Sequence, residues 1–95
     1  MSKFKELING EQPVLVDFYA TWCGPCKTQG PILDEFKKKA GNQLKVLKVD
    51  VDKNQAAAQQ FGIRSIPTLL LFKKGKIVWR HSGVATMQQL KELLR

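Results

Sequence analysis

Residues 14–19, Val-Leu-Val-Asp-Phe-Tyr, are apolar at both parities except for Asp17. A strand covered on one face alternates, and one covered on both does not. This run therefore predicts a central strand of a largely parallel sheet. Ahead of it, Phe4, Leu7 and Ile8 recur at the spacing of one helical face, and Asn9-Gly10 can end that helix. Behind it, Ile32, Leu33, Phe36 and Ala40 predict a helix over residues 24–40, stopped by Gly41. Pro31 falls inside it and removes a backbone hydrogen bond, which predicts a kink. Residues 44–51 form a second apolar run, interrupted by Lys45, Lys48 and Asp50. Residues 54–61, with three successive alanines, predict a short helix closed by Gly62. Two more strands, residues 68–73 and 76–82, flank Lys74-Gly75, a hairpin signal. Thr86 and Gln89 make a capping box that opens a last helix over residues 86–95. Its buried stripe is Met87, Leu90, Leu93 and Leu94. Helices and strands thus alternate in the manner of an α/β domain, and 95 residues are one domain's worth.

The only two cysteines, Cys23 and Cys26, stand at the junction between the first strand and the long helix. A thiol at a helix N-terminus faces unpaired backbone N–H groups and the positive end of the dipole. Both favour thiolate, the form that attacks disulfides, so Cys-x-x-Cys here reads as a redox site. Three plainer readings compete. A purely structural disulfide would close a ring of about four residues and tie nothing distant together. A zinc site needs four ligands, and besides the two cysteines there is one histidine, His81, far along the chain. Two inert buried thiols are the third.

The stretch Trp22-Cys23-Gly24-Pro25-Cys26-Lys27 resembles the active-site signature of the thioredoxin family. The resemblance continues through Val16-Asp17-Phe18-Tyr19-Ala20, through Pro31-Ile32-Leu33-Asp34-Glu35 and through Gly62-Ile63-Arg64-Ser65-Ile66-Pro67-Thr68, and it includes Gly83. It implies a three-layer thioredoxin-like fold, a mixed sheet flanked by helices, with Ile66-Pro67 as a cis bond. It implies thiol–disulfide exchange. Cys23, the more exposed thiol, attacks a substrate disulfide, and Cys26 resolves the mixed disulfide. Trp22, Gly24, Pro25, Ile66, Pro67 and Gly83 would form the substrate surface. No bound cofactor is expected beyond the redox-active Cys23–Cys26 pair. The implied electron donor is a flavin-dependent thioredoxin reductase using NADPH, and the implied substrates are disulfide-containing proteins. Oxidases, isomerases and binding subunits share the fold. Gly24-Pro25 resembles the reducing members.

Asp17 requires its own account, since a carboxylate in a doubly buried strand is costly unless it is paired or neutral. It reads either as a strand-end carboxylate reaching water or, by the resemblance, as a buried acid with raised pKa that takes the proton of Cys26. Lys48 reads as a surface lysine or, by the resemblance, as a cation near Asp17 that favours its ionised form. His81 and Trp79 read as strand-edge and sheet-packing residues. Tyr19 stands where the family often has tryptophan, and Thr21 where it often has an acid.

Family members usually begin with a strand before the first helix. Here the thirteen residues before Val14 are mostly claimed by a helix, which predicts four strands. The expected order is 44–51, 14–19, 68–73, 76–82. The first two are parallel across the long helix, the third is antiparallel, and the fourth closes a hairpin. The 44–51 edge would be guarded by Lys45 and Lys48 and would be the site of any self-association of a monomer.

Sixteen Lys and Arg against eight Asp and Glu give a net charge of +8. The basic residues are scattered without interleaved aromatics, so nucleic acid is not expected as a partner. No apolar run is long enough for a membrane span. Residues 1–6 lack a signal peptide's apolar stretch. A dithiol kept reduced fits the cytoplasm.

Overall fold

The structure is a computed structural model that describes residues 2–95. In chain order it contains α1 (Ser2–Ile8), β1 (Val14–Tyr19), α2 (Gly24–Ala40), β2 (Lys45–Asp50), α3 (Gln55–Gln60), β3 (Thr68–Lys73), β4 (Lys76–Ser82) and α4 (Met87–Lys91). The four strands form one sheet in the order β2-β1-β3-β4. β1 runs parallel to β2 and antiparallel to β3, and β3 is antiparallel to β4.

The sheet is mixed, with the expected order and directions and one parallel pair; the largely parallel sheet read from the β1 run alone does not hold. Two-sided burial needs a layer on each face, not parallel strands. Parity along β1 shows the layers. Leu15 points with Leu69 and Leu71 into a core with Leu33, Phe36 and Ala40 of α2 and Leu90 of α4. Val14, Val16 and Phe18 point with Leu70 and Phe72 into a second core with Ile8 of α1 and Ala57 of α3. Asp17 shares the parity of Leu15 and so belongs to the α2 side.

The second core is aromatic. Phe61 meets the rings of Phe72, Phe4 and Phe18 at 5.2, 5.9 and 6.2 Å, all tilted or edge-on. Such geometry suits the ring quadrupole and adds about 1 kcal/mol per pair to burial.

The β3–β4 turn gives Lys74 and Gly75 φ values of 51° and 81°, the paired positive angles of the tight turn that matches strand twist. A β-carbon at Gly75 would collide with the Asn9 side chain, and the Gly75 N–H donates to the carbonyl of Ile8 at 2.8 Å. The hairpin tip thereby holds the end of α1.

α2 runs as one helix through Pro31. α4 opens on the expected capping box, with Thr86 and Gln89 bonded reciprocally. It ends at Lys91 instead of continuing to residue 95. The chain tightens there into i→i+3 turns, Leu93 to Leu90 and Leu94 to Lys91.

Among the described residues β2 is an edge strand. Lys45 and Val51 donate their N–H groups to Pro13 and Tyr19 on the β1 side. By alternation the N–H groups of Val46, Lys48 and Asp50 face away from the sheet. These three amides should exchange with solvent at least about tenfold faster than those of Val16 and Phe18, read by amide hydrogen exchange. Equal protection in a monomer would show that the edge is covered.

Candidate active site

β1 ends at Tyr19, and a short turn carries the chain into α2. Cys23 caps that helix with φ −86° and ψ 117°, and its sulfur accepts the N–H of Cys26 at 3.2 Å. The cap position is normally taken by an oxygen side chain, and here a sulfur does that work. Pro25 sits in the first turn, where its missing N–H costs nothing. Cys23 and Cys26 are joined as a disulfide.

The expectation of a more exposed Cys23 fails. Cys23 is 4% exposed and Cys26 7%, so both are buried and the second is marginally the more open. Ala20, Tyr19, Val51 and Ile66 pack around the pair and cover both. What distinguishes the two sulfurs is the helix: the first-turn N–H points at Cys23, not at Cys26.

Ile66-Pro67 is cis. The Cys23 sulfur lies 3.7 Å from the carbonyl oxygen of Ile66. Pro67 is buried, and its carbonyl accepts the N–H of Gly83 at 2.8 Å. Gly83 has φ 88° with open space where a side chain would stand. Its backbone angle, and not crowding, calls for glycine. Trp22 is 69% exposed, and its indole N–H donates to Asp52 at 2.8 Å. Trp22 and Ile66 border a shallow cavity of about 190 Å³ beside the dithiol. Gly24 and Pro25, at the start of α2, are exposed. Trp22 adjoins Cys23 in the chain and Ile66 packs against the pair, while Pro67 follows Ile66 through the cis bond and holds Gly83 by a backbone hydrogen bond. His81 is not part of this group: it stacks on Trp79 and bonds the carbonyl of Val84 through Nε2 at 3.2 Å.

Asp17 is 2% exposed, and its Oδ1 has no hydrogen-bond partner. Desolvation raises its pKa from 3.8 to about 6, against an opposing pull from Lys48. Lys48 pairs with Asp17 in the β1–β2 register, yet its ammonium is half exposed and lies 4.0 Å from Asp34. Burial wins because water screens the lysine while the carboxylate has lost its hydration. The Lys48 side chain is thus partly exposed, and its charge acts on Asp17 in the direction opposite to burial.

A model of the thioredoxin family matches residues 1–95. The chain belongs to the thioredoxin family. It is 45% identical over 93 residues to the thioredoxin of Alicyclobacillus acidocaldarius, covering 98% of this chain and 89% of that one. With the Haemophilus influenzae thioredoxin it shares 48% over 84 residues, 88% of this chain and 78% of the relative. The structure of a mutant thioredoxin from Halobacterium salinarum superposes with a TM-score of 0.89 at 36% identity, covering 99% of this chain and 81% of that one. This family member is a disulfide-reducing oxidoreductase that works by dithiol–disulfide exchange through its cysteine pair.

One residue escaped the sequence reading. Gln29, one turn after Cys26, is fully buried. Its amide donates to the carbonyl of Ala85 at 3.1 Å and accepts the Ala85 N–H at 2.7 Å. Both polar groups of a buried backbone unit are thereby met by one side chain. The loop after β4 is consequently held at three successive residues: Gly83 by Pro67, Val84 by His81, Ala85 by Gln29. A polar residue on the apolar stripe of α2 was the available signal. Gln29→Leu orphans both backbone groups and should cost about 2 kcal/mol or more in a urea melt.

The Asp17 shift carries a pH signature. Well below pH 3.8 the carboxyl is protonated in both folded and unfolded chains and adds no pH dependence. Between about 4 and 6 the unfolded chain ionises first, so stability falls as pH rises, by about 3 kcal/mol in all. Asp17→Asn should therefore raise the denaturant midpoint above pH 6 and leave it nearly unchanged at pH 4. A gain of equal size at both pH values would contradict a buried, titrating carboxylate.

Proposed function

We propose that the chain acts as one domain, a general protein-disulfide reductase with Cys23 as nucleophile and Cys26 as resolving thiol. The supporting observation is the first-turn N–H of Cys26, aimed at the Cys23 sulfur at 3.2 Å. A hydrogen bond to the charged form favours it, so Cys23 is the sulfur held as thiolate.

The Cys23 thiolate attacks one sulfur of a substrate disulfide, and the other substrate sulfur leaves as thiolate and takes a proton. Asp17, ionised above about pH 6, takes the proton of Cys26. The Cys26 thiolate then attacks the Cys23 sulfur, and the second substrate thiolate departs. Two electrons pass to the substrate and leave Cys23–Cys26 oxidised. The two sulfurs store both electrons, so the reaction requires no resident cofactor. A reductase drawing on NADPH through a flavin would restore the dithiol. The substrate segment would lie extended over Trp22, Gly24, Pro25 and Pro67, pairing with the backbone of Ile66. Gly83 would border the far side. Backbone recognition suits many sequences and so a general reductant. Lys48 would tune Asp17. We place this activity in the cytoplasm, carried by a monomer.

Insulin reduction with single Cys→Ser variants tests the assignment. Both should lose turnover, and Cys26→Ser alone should accumulate mixed disulfides through Cys23. Trapping through Cys26 in Cys23→Ser would reverse the roles, turnover in either variant would contradict the two-cysteine exchange, and no insulin reduction by the unaltered chain would point to a binding subunit. The resolving step should slow as pH falls through about 6, and Asp17→Asn should remove that dependence, read by stopped-flow mixing.

A further inference from the structure

The net charge is not spread evenly over the fold. β1 and β2 begin at the pole opposite the dithiol, and β3 ends there. α2 also ends there. That pole consequently holds Lys37, Lys38 and Lys39 on the last turn of α2, together with Lys45 at the start of β2. The β3–β4 hairpin adds Lys73, Lys74 and Lys76, all exposed. Among the described residues none of these three makes an ion pair.

The same pole is concave. Two adjoining cavities of about 240 and 490 Å³ share Pro13, Lys73 and Arg95 as walls. The smaller is floored by apolar surface from Leu44, Leu71 and Leu93. The larger is rimmed by Lys73, Lys74, Lys76 and Arg95, with Glu11 as the one acidic side chain among its walls. An apolar floor under a cationic rim has a complement: a chain that alternates apolar and acidic side chains.

We infer that this groove is a second docking site, for an acidic peptide segment with apolar anchors belonging to another protein. The floor would take the anchors and the lysines would meet the carboxylates. Rim charge of this kind mainly speeds encounter and selects the partner. No aromatic side chain lines either cavity, so single-stranded nucleic acid finds no stacking surface. The apolar surface is recessed between charged walls, which suits an inserted side chain and not a lipid surface. The site lies at the far end of the sheet from Cys23, so an occupant leaves the dithiol open. A protein held there presents its own disulfides to Cys23 at raised effective concentration.

Titration of the full chain with a fluorescein-labelled synthetic peptide of repeating Glu-Leu-Glu tests this, alongside the same peptide with Gln for Glu, oligo-dT and phosphatidylserine vesicles. The acidic peptide should bind most tightly. Amide shifts should map to Leu44, Leu71, Lys73–Lys76 and Leu93, with Trp22–Cys26 unmoved. K73E/K76E should weaken binding at least about tenfold, whereas K37E/K39E, with the same change in net charge at the same pole, should leave it within about twofold. Insulin reduction should be unchanged in both variants. Equal weakening by the two variants would reduce the effect to overall charge and overturn the site. So would shifts centred on Trp22–Cys26, or tighter binding of oligo-dT or vesicles. The shift map uses the unaltered chain and decides the matter even if a variant fails to fold.

Discussion

The double burial of β1 is the constraint from which the rest follows. Val14, Leu15, Val16 and Phe18 have almost no exposure, and each face of the strand is met by a different helical layer. A strand so enclosed cannot slip by one residue without sending each side chain into the wrong core. Its register sets where the chain emerges at Tyr19, and therefore where α2 begins and where Cys23 stands. The same enclosure desolvates Asp17. The rigidity that aims the cysteines and the cost at the carboxylate have one cause.

Electrostatics at this site is a contest between a sulfur favoured by the helix and a carboxylate disfavoured by burial. Cys23 lies where backbone N–H groups stabilise negative charge. Asp17 lies where little does, apart from the screened ammonium of Lys48. Two acidic groups on adjoining elements thus sit in opposite environments, one beside a backbone donor and the other stripped of water. The exposed Trp22, tied to Asp52, gives the site an apolar rim without closing it.

Much of this was legible in the chain. The unalternating run at 14–19 announced a strand with two covered faces, and the crossover helix dictated its parallel partner. Local chemistry announced the caps: Thr86 and Gln89 are three apart and bond as that spacing requires. What stayed hidden depends on contacts between distant segments. Gln29 interrupts the apolar stripe of α2, but only Ala85, remote in sequence, shows what its two polar groups meet. The burial of both cysteines involves Val51, which no local pattern places beside them. The early end of α4 is another such case. Helical spacing persists to Leu94, but the last residues turn tightly, and the Arg95 N–H reaches Gln43 instead.

Hairpin tips are ordinarily where a chain tolerates insertion, since little is packed against them. The tip between β3 and β4 departs from that expectation. Gly75 fits against Asn9 and bonds the last carbonyl of α1. α1 in turn roofs the Phe61 and Phe72 cluster with Phe4. An epitope or fluorophore grafted at this turn would therefore lever away the opening helix and wet the aromatic core beneath it. In this molecule the tolerant position for such a graft is not the hairpin, and labelling strategies must look to other surface loops.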